Sequence, residues 1–80
     1  MSSSSWEKPV EIDLGLIGTR KVSGPFDALI YLTDQWPNRS GARFVRARIA
    51  CEAALEGRTE SEKARRDFVA AAKEAHLLLH

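Results

Sequence analysis

Cys51, His76, His80 and the arginines between positions 39 and 48 are the residues of this sequence whose side chains could do chemistry. A free thiol with a pKa of about 8.5 is mostly protonated at neutral pH and needs a neighbouring base to become a nucleophile. Neither histidine is tied to Cys51 by spacing, and on a helical wheel Cys51 shares a face with Phe44 and Leu55. It is expected to be a small core hydrophobe, buried and inert. His76 and His80 stand four residues apart, which can set two ligands on one helical face, yet no nearby Cys, Asp or Glu completes a four-coordinate set. No metal and no cofactor is expected.

Arg39, Arg43 and Arg46 fall on one side of a loop and the helix after it, Arg48 adds a fourth charge, and no acid stands between 39 and 48. Such a cluster could touch phosphates through salt-sensitive contacts. The plainer alternative is that Arg43 and Arg46 solvate an exposed face while Arg48 lays its stem over Phe44 and Leu55 and pairs with a carboxylate. The plainer reading is preferred, with Arg39, Arg43 and Arg46 kept as a candidate partner-binding patch. The two helices joined by Gly57-Arg58-Thr59 superficially suggest a helix-turn-helix. A recognition helix offers its N-terminal residues to DNA, and here those are Glu60, Ser61 and Glu62, whose charge repels phosphate. A simple helical hairpin fits better. Trp6 and Trp36 flank turning segments and are expected to staple a tail and a turn to the core. No P-loop, dinucleotide fingerprint, zinc-protease or nucleophile-elbow motif occurs, so no enzyme is expected.

Composition sets the frame for these residues. The chain has 80 residues, 44% of them apolar and 29% charged, with a net charge of +1. Those values suit a small packed domain and give no global field toward nucleic acid or an anionic membrane. A single cysteine precludes an internal disulfide and points to a reducing cytoplasm. Residues 1–5 read as a disordered serine-rich tail with neither the basic nor the apolar region of a signal peptide, and residues 6–80 as one domain. No apolar run approaches the ~20 residues a bilayer needs, so no membrane association is expected.

Val10, Ile12 and Leu14 alternate with Glu11 and Asp13, a strand over about 9–14. A second short strand, Thr19 to Ser23, returns after Gly15-Leu16-Ile17-Gly18, and the pair makes a hairpin that must lie on helices. Gly24-Pro25-Phe26-Asp27 starts a first helix, which runs to about Trp36 where Pro37 stops it, with Phe26, Leu29, Ile30 and Trp36 as its apolar side. Ser40 is the expected cap of a second helix. That helix shows two apolar strips, one of Phe44, Ala47, Cys51, Ala54 and Leu55 and another of Val45 and Ile49, and ends at Gly57. Thr59 and Glu62 have the T-x-x-E spacing of a capping box. The third helix aligns Ala64, Phe68, Ala71, Ala75 and Leu78, with Glu62/Arg66 and Lys63/Asp67 pairs outside. His76 to His80 either continues the helix or peels off as a short third strand, the reading preferred here.

The combination of Trp6 and Pro9-Val10, Val22, Asp27-Ala28-Leu29 with Leu32, Trp36-Pro37 with Gly41, Ala47, Cys51, Leu55 and Gly57, and then Ala64-Arg65, Phe68, Ala71-Ala72 and Ala75 resembles the small bacterial domain-of-unknown-function family numbered 982. The W-P-x-x-x-G turn and the C-x-x-x-L-x-G helix end are its most specific pieces. His76 departs from the pattern, since a glycine is expected there to close the third helix. The resemblance implies a fold and a bacterial cytoplasmic setting, and it implies no activity.

The expected architecture is α+β, in the order ββααα with a short C-terminal strand as an addition. The expected role is a non-enzymatic accessory or protein-interaction module that self-associates, as a homodimer through Val45 and Ile49 or with an unknown protein partner. The alternative is a nucleic-acid-binding regulator using Arg39, Arg43 and Arg46.

Overall fold

The computed structural model describes residues 5–37 and 39–79. The serine tail before Ser5, Asn38 and the second histidine of the His76/His80 pair lie outside the described residues. Two strands, β1 (Val10–Asp13) and β2 (Thr19–Val22), precede three helices, α1 (Pro25–Asp34), α2 (Ala42–Leu55) and α3 (Ser61–Glu74). This is the α+β order ββααα. No helix among the described residues is long and apolar enough to cross a membrane.

The strands pair antiparallel with Val10 opposite Val22 and Ile12 opposite Arg20, so Val10, Ile12 and Val22 point together into the core. Their connection is a short 3-10 turn, Gly15–Ile17. The Asp13 carboxylate accepts a hydrogen bond from the Gly15 N–H at 2.9 Å, and Gly15 and Gly18 take φ of 72° and 98°, values that suit glycine. On the other edge of β1, Leu78 bridges Ile12, with Asp13 N–H donating to the Leu77 carbonyl and Leu79 N–H to that of Glu11. The C-terminal segment therefore leaves the helix and lies as a strand-like third element beside the hairpin. β1 is the central strand, with β2 on one side and the Leu77–Leu79 segment on the other.

Gly24 caps α1, with Pro25 in the first turn and Asp27 beside the positive end of the dipole. The helix stops at Asp34, two residues before Trp36, and this changes which side is buried. Pro25, Ala28 and Leu32 face the core while Phe26 and Ile30 are 63% and 41% exposed. A wheel anchored on Trp36 points the wrong way because Trp36 enters the core from the loop. In α2 the inner strip of Phe44, Ala47 and Cys51 is buried as expected, and Ala50 and Ala53 join it. Leu55, the last residue of α2, is exposed instead.

Two expected caps are replaced. Gly41, not Ser40, is the N-cap of α2, and a Cβ there would meet the end of the Glu74 side chain at 3.2 Å, where the start of α2 lies against the end of α3. The N-cap of α3 is Glu60, one residue beyond Thr59, and no side chain bonds the cap, so the Thr59/Glu62 capping box does not form. The preceding turn explains the shift. Gly57 at φ 79° closes α2 with Arg58 N–H donating to the Ala53 carbonyl and Gly57 N–H to that of Ala54, and this places α3's start at Ser61. The same double bond closes α3, from Leu77 N–H to Ala72 and from His76 N–H to Lys73. His76 carries the left-handed φ of 60° that this closure needs. The departure from glycine therefore leaves the helix end in place.

Phe68 is the centre of the core. It is fully buried, with the rings of Trp6 and Trp36 at 5.8 and 5.4 Å between centroids. Both tryptophans are staples, as their positions predicted. The N-terminal segment is further held by Trp6 N–H on the Ser23 carbonyl and by Arg65, whose Nε donates to the Lys8 carbonyl at 2.7 Å.

Candidate functional site

Burial decides the fate of Cys51. Its side chain is wholly inaccessible among core residues, and that burial, with the nearby carboxylates of Asp67 and then Glu52 adding to it, pushes the thiol up to about 12. A group so protonated is no nucleophile near neutrality. His76 is exposed beyond the end of α3.

The arginines separate. Arg39 turns back along the chain and donates Nη1 to the Thr33 carbonyl at 2.5 Å, placing its charge at the negative C-terminal end of α1. Arg43 and Arg46 project from α2 one turn apart and are exposed. Arg48 is exposed too and has no carboxylate within ion-pair distance among the described residues, so the expected pairing over Phe44 and Leu55 is not formed there. The described ion pairs are Arg58 with Glu56 and Lys63 with Asp67, at 2.7 and 2.8 Å. Glu62 and Arg66 do not close their expected pair.

α2 and α3 pack against each other more extensively than any other two elements. Their antiparallel arrangement follows from the short Gly57 turn, and it brings Arg43 near the end of α3 and Ala53 near its start. Two surface hollows open along this seam, lined by the two helices and the turn joining them alone. One, of about 530 Å³, is walled by Val45, Ile49, Ala50 and Ala53, with Arg46 and Lys63 at its rim. Ile49 is 53% exposed there, and Val45 is half-buried against the core. The other, of about 550 Å³, is flanked by Arg43, Arg66 and Lys73, with Glu74 as its lone acid.

The structure thus sets Val45 and Ile49 in one depression and adds Ala50 and Ala53 to it, while Arg43 and Arg46 fall at two adjoining hollows and Arg39 lies at α1. Lys63, Arg66 and Lys73 are the residues that sequence reasoning missed. Their spacing of three and ten along α3 marks a shared outer face. The identity of the helix opposite them is a tertiary fact.

A family model described as a protein of unknown function, DUF982, matches residues 8–79. The NMR structure of the Agrobacterium tumefaciens protein Atu1219 is similar at a TM-score of 0.79 and 38% identity, over 95% of this chain and 76% of that one. No curated protein matches this chain.

Proposed function

This chain belongs to the DUF982 family of proteins of unknown function, and from that premise we propose that it is a non-enzymatic cytoplasmic interaction module that self-associates, with the α2–α3 seam as its contact face. The observation that carries this reading is the 530 Å³ apolar hollow. Val45, Ile49, Ala50 and Ala53 offer a partner a surface that water covers poorly, and Arg46 at its rim supplies register. The burial of Cys51 supports a non-catalytic role, since it withdraws the thiol from any substrate. The lone reduced thiol supports the compartment. Sedimentation velocity over a concentration series up to about 100 μM tests the reading, since a micromolar Kd populates assemblies well below that concentration. A rise in weight-average mass with concentration is expected, and a constant monomer mass overturns it.

A second reading rests on the adjoining hollow. Arg66 and Lys73 of α3 stand with Arg43 of α2 around it, and such a grouping of cations from two helices suits a phosphate backbone. In this reading random duplex DNA binds with an affinity that falls steeply between about 50 and 200 mM salt, and Arg43→Ala with Arg66→Ala flattens that slope.

A further inference from the structure

The self-association proposed above leaves open which surface of a second copy enters the seam. A symmetric pairing of two seams brings Arg46 of both copies into one interface, where like charges oppose it, while Lys63 is already held by Asp67. The incoming surface must be apolar and of the opposite sign.

One exposed surface has both properties. Phe26 and Ile30, 63% and 41% exposed, stand one turn apart on α1. Between Pro25 and Asp34 the helix carries Asp27 and Asp34 and no lysine or arginine. Arg39 is held at its C-terminal end. The other exposed apolar groups fit less well. Leu16 and Ile17 at the hairpin tip lie between Asp13 and the cations Arg20 and Lys21, a surface of mixed charge, and Leu55 and Leu79 are single residues. No residue of α1 lines the hollow, so both surfaces are available on each copy at once.

We infer that the hollow walled by Val45, Ile49 and Ala53 takes the Phe26–Ile30 face of α1 from a second copy of this chain, with Asp27 and Asp34 toward Arg46. Phe26 and Ile30 act as the i, i+4 anchors of a helix laid in a groove. This contact is head-to-tail, so each copy that donates α1 still offers an empty seam, and association continues into a ring or a filament.

The test uses two full-length variants, Phe26→Glu and Ile49→Glu. Both side chains are exposed, and circular dichroism checks that each variant folds. Each alone lacks one half of the contact in every copy and is expected to stay a monomer. Mixed at about 100 μM each, the Phe26→Glu seam accepts the Ile49→Glu α1 and growth stops there, giving a 1:1 complex of twice the monomer mass. A mixture that stays monomeric while the wild-type chain associates overturns the head-to-tail contact and leaves self-association through another pairing standing. A wild-type chain that stays monomeric overturns both readings, and salt-dependent binding of duplex DNA by that monomer would assign the seam's cations to phosphate.

Discussion

The indole Nε1–H of Trp6 donates to the main-chain carbonyl of Ser61 at 3.0 Å, tying the segment before β1 to the first turn of α3 across 55 positions of sequence. The same ring packs on Phe68. Trp6→Phe keeps an aromatic ring but loses the hydrogen bond, and should lower stability by about 1 kcal/mol. Trp6→Ala also removes the packing and should cost about 3–5 kcal/mol. Urea unfolding, followed by circular dichroism, checks the order of the two.

Thr59→Ala should leave the denaturant midpoint within about 0.5 kcal/mol of wild type, because the Thr59 side chain caps nothing and α3 starts from Glu60. A loss of about 1 kcal/mol would restore the capping box that the T-x-x-E spacing suggests.

His76→Gly should stabilise the chain by about 1 kcal/mol, since a side chain at φ 60° bears a steric cost that glycine does not. His76→Val should destabilise it, a branched side chain being worst suited to that backbone. The two urea midpoints should therefore fall on opposite sides of the wild type.

Cys51 links stability to alkaline pH. Its thiol titrates at about 12 in the folded chain against an ordinary 9.0, so above pH 9 the unfolded chain loses a proton that the folded chain keeps. The unfolded state then binds fewer protons, and stability falls as pH rises from 9 toward 12, by up to about 1.4 kcal/mol per pH unit from this group. Below pH 9 the contribution is complete. Comparing wild type with Cys51→Ala across that range should show the extra slope in the wild type alone, and thiol labelling should be rapid only after unfolding.

Much of the fold is legible locally. The alternation of Val10 and Ile12, Pro25 at the first turn of α1 and Gly57 at the end of α2 each state a backbone preference that the structure adopts. The face of α1 was not legible, because Phe26, Ile30 and Trp36 make as regular a stripe as Ala28 and Leu32, and only the early helix end at Asp34 chooses between them. The T-x-x-E signal failed for a related reason: the closure around Gly57 fixes where α3 can begin and overrides a side chain's preference. Of the seam, Val45, Ile49, Arg43 and Arg46 were readable from α2. Lys63, Arg66 and Lys73 acquire meaning only when α3 packs antiparallel beside them.

The central claim, that copies of this chain meet through the α2–α3 seam, is tested most directly by heteronuclear NMR on the isotope-labelled chain diluted from about 500 to about 10 μM, a span that brackets micromolar association. Amide shifts that move with concentration are predicted at Arg46, Ile49, Ala53 and Lys63, which border the apolar hollow, together with Phe26 and Ile30 on the exposed side of α1. Movement confined to Thr19–Val22, an edge strand of the sheet, would contradict the account by placing the contact on strand pairing instead.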